Sequence, residues 1–145
     1  MEERLMKMTV MRLASALNVR VYRLSGGKWL GRFASGAPVC LLTTKGRKSG
    51  LPRTVPLLYL KEGDDLLVVA SQGGAPQHPA WYLNLEVEPL AEVEIGRRRI
   101  PVAARRVGED ERTELWPRLV RLYPPYDEYQ RRTTRLIPVM RLSPI

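Results

Sequence analysis

From Pro38 onward the chain breaks into six short runs of β-type residues, and no other feature limits the available folds as strongly. The runs are Val39 to Thr44, Thr54 to Leu60, Leu66 to Ser71, Ala91 to Ile95, Ile100 to Arg105 and Leu136 to Leu142. Glu62-Gly63-Asp64 and Gly96-Arg97-Arg98 are turn signals short enough for hairpins, so the sheet they predict is antiparallel. Ala91-Glu92-Val93-Glu94-Ile95 alternates as a half-exposed strand should, whereas Leu66-Leu67-Val68-Val69-Ala70 is apolar throughout, as in a strand covered on both faces.

Three helical segments accompany the strands. Met6, Val10, Leu13, Leu17, Val21 and Leu24 recur at helical spacing and predict an amphipathic helix within residues 1–25, ending before Gly26-Gly27. Its other faces carry Arg4, Lys7, Arg12, Arg20 and Arg23, which suits packing on a barrel with a solvated basic rim or peripheral contact with a membrane surface. Pro79 to Glu86 reads as a short helix burying Trp81, Tyr82 and Leu85, stopped by Pro89. Asp110 to Tyr123 reads as a longer one whose acidic start suits the positive end of a helix, with Pro117 expected to kink or split it. The elements together predict one α+β domain spanning residues 1–145, a six-stranded antiparallel barrel with flanking helices.

The 145 residues suit one domain, and Lys and Arg number 24 against 15 Asp and Glu, for a net charge of +9 that favours anionic partners. The single cysteine, Cys40, excludes an intrachain disulfide and fits a reducing, cytoplasmic setting. The start of the chain lacks an export signal, and no stretch approaches the ~20 apolar residues of a spanning helix.

Chemistry concentrates first in Thr43-Thr44-Lys45-Gly46-Arg47-Lys48-Ser49-Gly50-Leu51-Pro52-Arg53, a loop with four cations and no acid between two apolar strands. Gly46 and Gly50 permit turns that aim N–H groups inward, and Arg47, Lys48 and Arg53 add charge-assisted donors for phosphate or carboxylate oxygens. The same composition would serve a plain solvated hairpin loop, and the spacing does not match the nucleotide-triphosphate loop. In the next such segment, Val69-Ala70-Ser71-Gln72-Gly73-Gly74-Ala75-Pro76-Gln77-His78-Pro79-Ala80-Trp81-Tyr82-Leu83-Asn84-Leu85, a buried strand runs through a glycine pair into an aromatic helix.

Together with Tyr22-Arg23-Leu24-Ser25-Gly26-Gly27 and Tyr123-Pro124-Pro125-Tyr126-Asp127-Glu128-Tyr129-Gln130, these segments resemble the signature of the deazaflavin-dependent nitroreductase and quinone reductase family. Its members are split β-barrels of the flavin-mononucleotide-binding type that use coenzyme F-420, an 8-hydroxy-5-deazaflavin. The resemblance implies that Lys45, Arg47, Lys48, Ser49 and Arg53 grip the coenzyme's phosphate and oligoglutamate tail. It places Pro56, Ala70, Ser71, Gln72, Ala75 and Pro76 near the deazaflavin ring, with Trp81 and Asn84 closing the pocket from the short helix. Many members have Lys where this chain has Gln72, so one cation toward the coenzyme is missing here.

Tyr123, Tyr126 and Tyr129 repeat every three residues, which on a helix brings them toward one side, either as packing groups or as a stacking surface. The resemblance implies the latter: with Ser71 they line the acceptor, and Ser71, Tyr126 and Tyr129 take the catalytic roles of orienting it or relaying a proton. His78 is the only histidine, which argues against a histidine-rich metal site and suggests local hydrogen bonding, while Cys40 reads as a buried, inert hydrophobe. The expected activity is hydride transfer from reduced F-420 to a planar acceptor such as a quinone or nitroaromatic. A flavin mononucleotide oxidoreductase on the same fold and a non-catalytic carrier of deazaflavin or fatty acid are the competing readings. Nucleic acid is disfavoured as a partner because no recognition helix or RNA-binding motif accompanies the clusters Arg97-Arg98-Arg99 and Arg131-Arg132.

Overall fold

The computed structural model describes residues 17–27 and 36–145. Its strands are β1 (Val39–Lys45), β2 (Pro52–Leu58), β3 (Leu60–Glu62), β4 (Asp65–Val69), β5 (Leu90–Ile95), β6 (Arg98–Arg106) and β7 (Val139–Pro144). All pair antiparallel in one sheet of order β2-β1-β5-β6-β7-β4-β3. The two edge strands, β2 and β3, are consecutive in the chain and separated by Tyr59 alone. Laid flat, seven strands would hold their edges about 29 Å apart, whereas the two residue steps from Leu58 to Leu60 reach about 7 Å. The sheet therefore curls until its edges meet, which makes it a split barrel joined by chain rather than by ladder hydrogen bonds at the seam.

The strand count is seven, not the six that the sequence predicts, because the run Thr54 to Leu60 divides at Tyr59. There the chain leaves β1, donates the Tyr59 N–H to the Pro38 carbonyl (3.1 Å), and turns to pair with β4. Pro52 and Pro56 are accommodated because β2 is an edge strand, where a missing N–H breaks no further ladder. The last strand begins at Val139 rather than Leu136, since Leu136 is exposed and Pro138 contributes only its carbonyl, to the Ala70 N–H (2.9 Å).

As its uniform apolarity predicts, β4 is covered on both sides. Leu66, Val68 and Ala70 pack with Cys40, Leu42, Val93 and the helix α2 (Ala80–Val87), which buries Trp81, Tyr82 and Leu85. Leu67 and Val69 pack with α3 (Glu109–Leu122) and α4 (Pro125–Arg131) through Leu115, Leu119 and Tyr126. Of the expected kink or split at Pro117, the split does not occur: α3 is continuous through it, and Pro117 and Thr113, whose carbonyl it frees, are both exposed to solvent.

The first helix, α1, is described over 17–25, and residues 1–16 of the predicted amphipathic helix lie outside the described residues. Its buried side is Val19 and Tyr22, not the predicted row, for Leu17 and Leu24 are 62% and 84% exposed. Polar contacts choose this face. The Tyr22 hydroxyl accepts the Gly96 N–H (2.8 Å), and Arg23 donates to Glu94 at 2.7 and 3.2 Å. This also corrects the expected alternation of β5, in which Glu94 is buried beneath α1 as an ion-paired carboxylate. No helix among the described residues is long and apolar enough to cross a membrane.

Candidate active site

The loop from Lys45 to Arg53 closes the β1–β2 hairpin. Its backbone is braced by the Gly46 N–H on the Leu51 carbonyl and the Gly50 N–H on the Gly46 carbonyl, both 2.8 Å, with Gly50 in the left-handed region at φ 72°. The Ser49 hydroxyl accepts the Leu51 N–H (3.2 Å) and faces the Arg53 guanidinium (3.5 Å), so it stiffens the loop from within. Lys45, Arg47, Lys48 and Arg53 are all exposed, and among the described residues no carboxylate pairs with any of them. An open depression of about 390 Å³ lies at the foot of this loop, between Lys45, Gly50 and Glu92.

Asn84 ties the loop to α2. Buried on the inner side of that helix, it donates to the Thr44 hydroxyl (3.0 Å) and accepts the backbone N–H of Arg47 (3.0 Å). Its amide thus spans strand, loop and helix and spends its hydrogen-bonding capacity on holding the loop. Trp81, expected to close the pocket, is packed in the core with Tyr82 and Leu85.

The glycine turn follows β4. Ser71 is right-handed, and Gln72, Gly73 and Gly74 then follow at φ 44°, 63° and 81°. For Gln72 this conformation costs on the order of 1–2 kcal/mol. A side chain at Gly74 would place its Cβ 2.7 Å from the Tyr129 carbonyl oxygen and 3.1 Å from Arg132, so glycine is what lets α4 seat directly on the turn. Ala75 donates its N–H to Gln72 (3.1 Å), Pro76 is exposed, and Pro56 sits half-buried on β2 opposite Leu41. The Ser71 hydroxyl makes no hydrogen bond among the described residues.

Beneath the turn lies Arg135, which sequence reasoning did not single out. Its guanidinium donates to the carbonyls of Ala75 (2.8 Å), Ala70 (3.1 Å) and Ser71 (2.8 Å) and to Nδ1 of His78 (3.0 Å). Arginine only donates, so Nδ1 is the acceptor and the imidazole is neutral with its proton on Nε2. Burial, then the charges of Arg135 and Arg106, hold the His78 pKa below its ordinary value, against a weaker upward pull from Glu86. The His78 ring also packs tilted against Tyr82, centroids 4.7 Å apart, and the Tyr82 hydroxyl accepts from Arg106 (3.2 Å). In a chain this rich in arginine, nothing local marks residue 135; its partners lie 57 to 65 positions away.

The three tyrosines do converge. Tyr123 caps α3, the other two lie on α4, and their ring centroids are 5.0 to 6.5 Å apart. The hydroxyls of Tyr123 and Tyr129 are 3.2 Å apart, and this bond, with burial and the neighbouring charge, pushes the Tyr123 pKa up to about 12. Tyr126 is buried among Leu115, Leu119 and Val139, which raises its pKa chiefly by desolvation. Cys40 is wholly buried and its thiol pushed up to about 12 by desolvation, as inert as expected.

The curled antiparallel sheet with its flanking helices is a split barrel of the flavin-binding-like class. Residues 14–144 match the F420H(2)-dependent quinone reductase family, and the chain belongs to it. It is 38% identical over 130 residues to an F420H(2)-dependent quinone reductase of Mycobacterium tuberculosis, covering 88% of this chain and 87% of that one. A second M. tuberculosis protein, provisionally named for the same activity, is 42% identical over 112 residues, 77% of this chain and 94% of its own. Among solved structures, an F420-H2 dependent reductase shares 44% identity over 73% of this chain and 94% of its own, with a TM-score of 0.67.

Proposed function

We propose that this site reduces a quinone by two electrons, with the basic loop holding the anionic end of F-420, the glycine turn lying along its ring and the tyrosines lining the acceptor. As a member of its family the chain is an F420H(2)-dependent oxidoreductase with a quinone-type small-molecule acceptor. The observation that carries the assignment of parts is the set of exposed cations on Lys45, Arg47, Lys48 and Arg53, unpaired among the described residues and tied through Asn84 to the helix leading out of the turn. Four such cations suit a multiply anionic tail, and Gly73, with nothing within 4 Å of where a Cβ would stand, leaves bare backbone for a flat ring.

In this reading Pro56, Ala70, Ser71, Gln72, Ala75 and Pro76 hold the ring, with Trp81 and Asn84 supporting from behind. When bound, the reduced coenzyme supplies the hydride. Ser71 offers its hydroxyl to the acceptor, and Tyr123, which stays protonated at neutral pH, is bonded to Tyr129 in a pair able to pass a proton to an acceptor oxygen. Tyr126 supports that pair from the core. We read residues 1–145 as one cytoplasmic domain, with the first helix available to a membrane surface; sedimentation with anionic vesicles checks the latter.

The test is fluorescence titration with F-420 beside flavin mononucleotide, then single-turnover oxidation of the reduced complex by a quinone and by a nitroaromatic. Tight F-420 binding and fast quinone-dependent oxidation are expected. Variants Tyr129→Ala and Tyr123→Phe that keep wild-type rates with both acceptors would return the tyrosines to packing.

A further inference from the structure

We propose that Arg135 is a positioning residue for hydride transfer, holding the glycine turn from beneath so that Ser71 and its backbone face the coenzyme and acceptor in one fixed conformation. The inference rests on the reading that places the turn beside the coenzyme ring. Gln72, the first of three consecutive left-handed residues and the one that is not glycine, holds a conformation that persists only where its surroundings impose it. Within the turn there is little to impose it: the Gly74 N–H reaches the Ser71 carbonyl (2.9 Å) and the Ala75 N–H that of Gln72 (3.1 Å). Arg135 supplies the rest, gripping Ala70 and Ser71 at the entry and Ala75 and His78 at the exit.

Only a planar fork with five donors spans both ends at once; a lysine ammonium reaches one or two of these acceptors. Among the described residues no carboxylate pairs with Arg135, so its donors are committed to the turn. The arginine is itself fixed by Gln130 of α4, whose amide donates to the Arg135 carbonyl (2.8 Å) and accepts the Ile137 N–H (2.9 Å). One residue thereby couples the tyrosine-bearing helix to the turn that carries Ser71.

His78 reports on this contact. The groups facing it are Arg135, Arg106 of β6, and Tyr82 and Glu86 of α2. Because it is the only histidine, untagged protein gives a single imidazole Cε1–H resonance to titrate without coenzyme. In Arg135→Met that titration moves upward toward the ordinary value, and in Arg135→Lys it moves less. At saturating coenzyme and quinone, the single-turnover rate is expected to fall about 100-fold in Arg135→Met and about tenfold in Arg135→Lys. Coenzyme affinity should change by no more than about threefold. A folded variant, judged by circular dichroism and melting, that keeps its rate within about twofold of wild type overturns the proposal. So does a loss confined to coenzyme affinity. If Arg135→Met does not fold, Arg135→Lys carries the test by the same criteria. Ser71→Ala and Gln72→Ala are run alongside: if both keep wild-type rates, the placement of the turn falls, and if they are slow while the Arg135 variants are not, only the role of Arg135 falls.

Discussion

The basic loop and the glycine turn are both short, glycine-bearing connections leaving a strand, yet they are built in opposite ways. In the loop the side chains point outward: its cations stand in solvent, and the protein spends its hydrogen bonds on keeping the backbone beneath them stiff. In the turn it is the backbone that is held, by a side chain from far along the chain. Charge acts over a Debye length and tolerates small displacement, whereas a hydride acceptor must be placed to a fraction of an ångström. The contrast teaches that, if the proposed function holds, its two parts demand different kinds of precision.

Gly74→Ala is the sharpest way to break this comparison. Its left-handed φ and the backbone of α4 at 2.7 Å leave no room for a methyl, so a loss of about 3 kcal/mol in stability is expected by urea denaturation, with turnover falling alongside. Next in size is Arg47→Ala with Lys48→Ala, which should weaken coenzyme binding about 30-fold, steeply relieved by salt, while leaving the melting temperature unchanged. Equal affinity in a folded double variant would remove the anion site. Asn84→Ala lies between the two regions: it removes a buried amide bonded to Thr44 and Arg47 and should cost about 1–3 kcal/mol, with coenzyme affinity reduced although no cation has been touched. Gly73→Ala is the mildest, about 1–2 kcal/mol, since its φ of 63° is strained for alanine but nothing crowds the site. If Gly73→Ala cost as much as Gly74→Ala, contact with α4 would not be what singles out position 74.

What could be read in the sequence was what is local. Alternation and turn residues located the strands, and the uninterrupted Leu66–Ala70 run announced a strand covered twice, because burial on both faces leaves no polar position. The division at Tyr59 was hidden, since a strand that changes partners keeps its apolar pattern while its hydrogen bonds move. The buried face of α1 was misjudged because Glu94 and Gly96, more than seventy positions away, select it. The cations of the loop announced themselves by composition. Arg135 and the Thr44–Asn84 clasp did not, because each is defined by partners that periodicity cannot see.

The interior position of β7 bears on how the loop and the turn come together. The loop belongs to the β2-β1-β5-β6 side of the sheet and the turn to the β4-β3 side, and β7, which follows every other strand in the chain, is the ladder between them. Pairings with that strand span large sequence separations and close late and slowly during folding. Until they close, each half can be locally formed, yet the basic loop and the glycine turn are linked only through the β2–β3 connection and the Asn84 clasp. Competence to bind coenzyme should therefore arise together with the final strand's docking, so that bound coenzyme serves as a measure of completed folding.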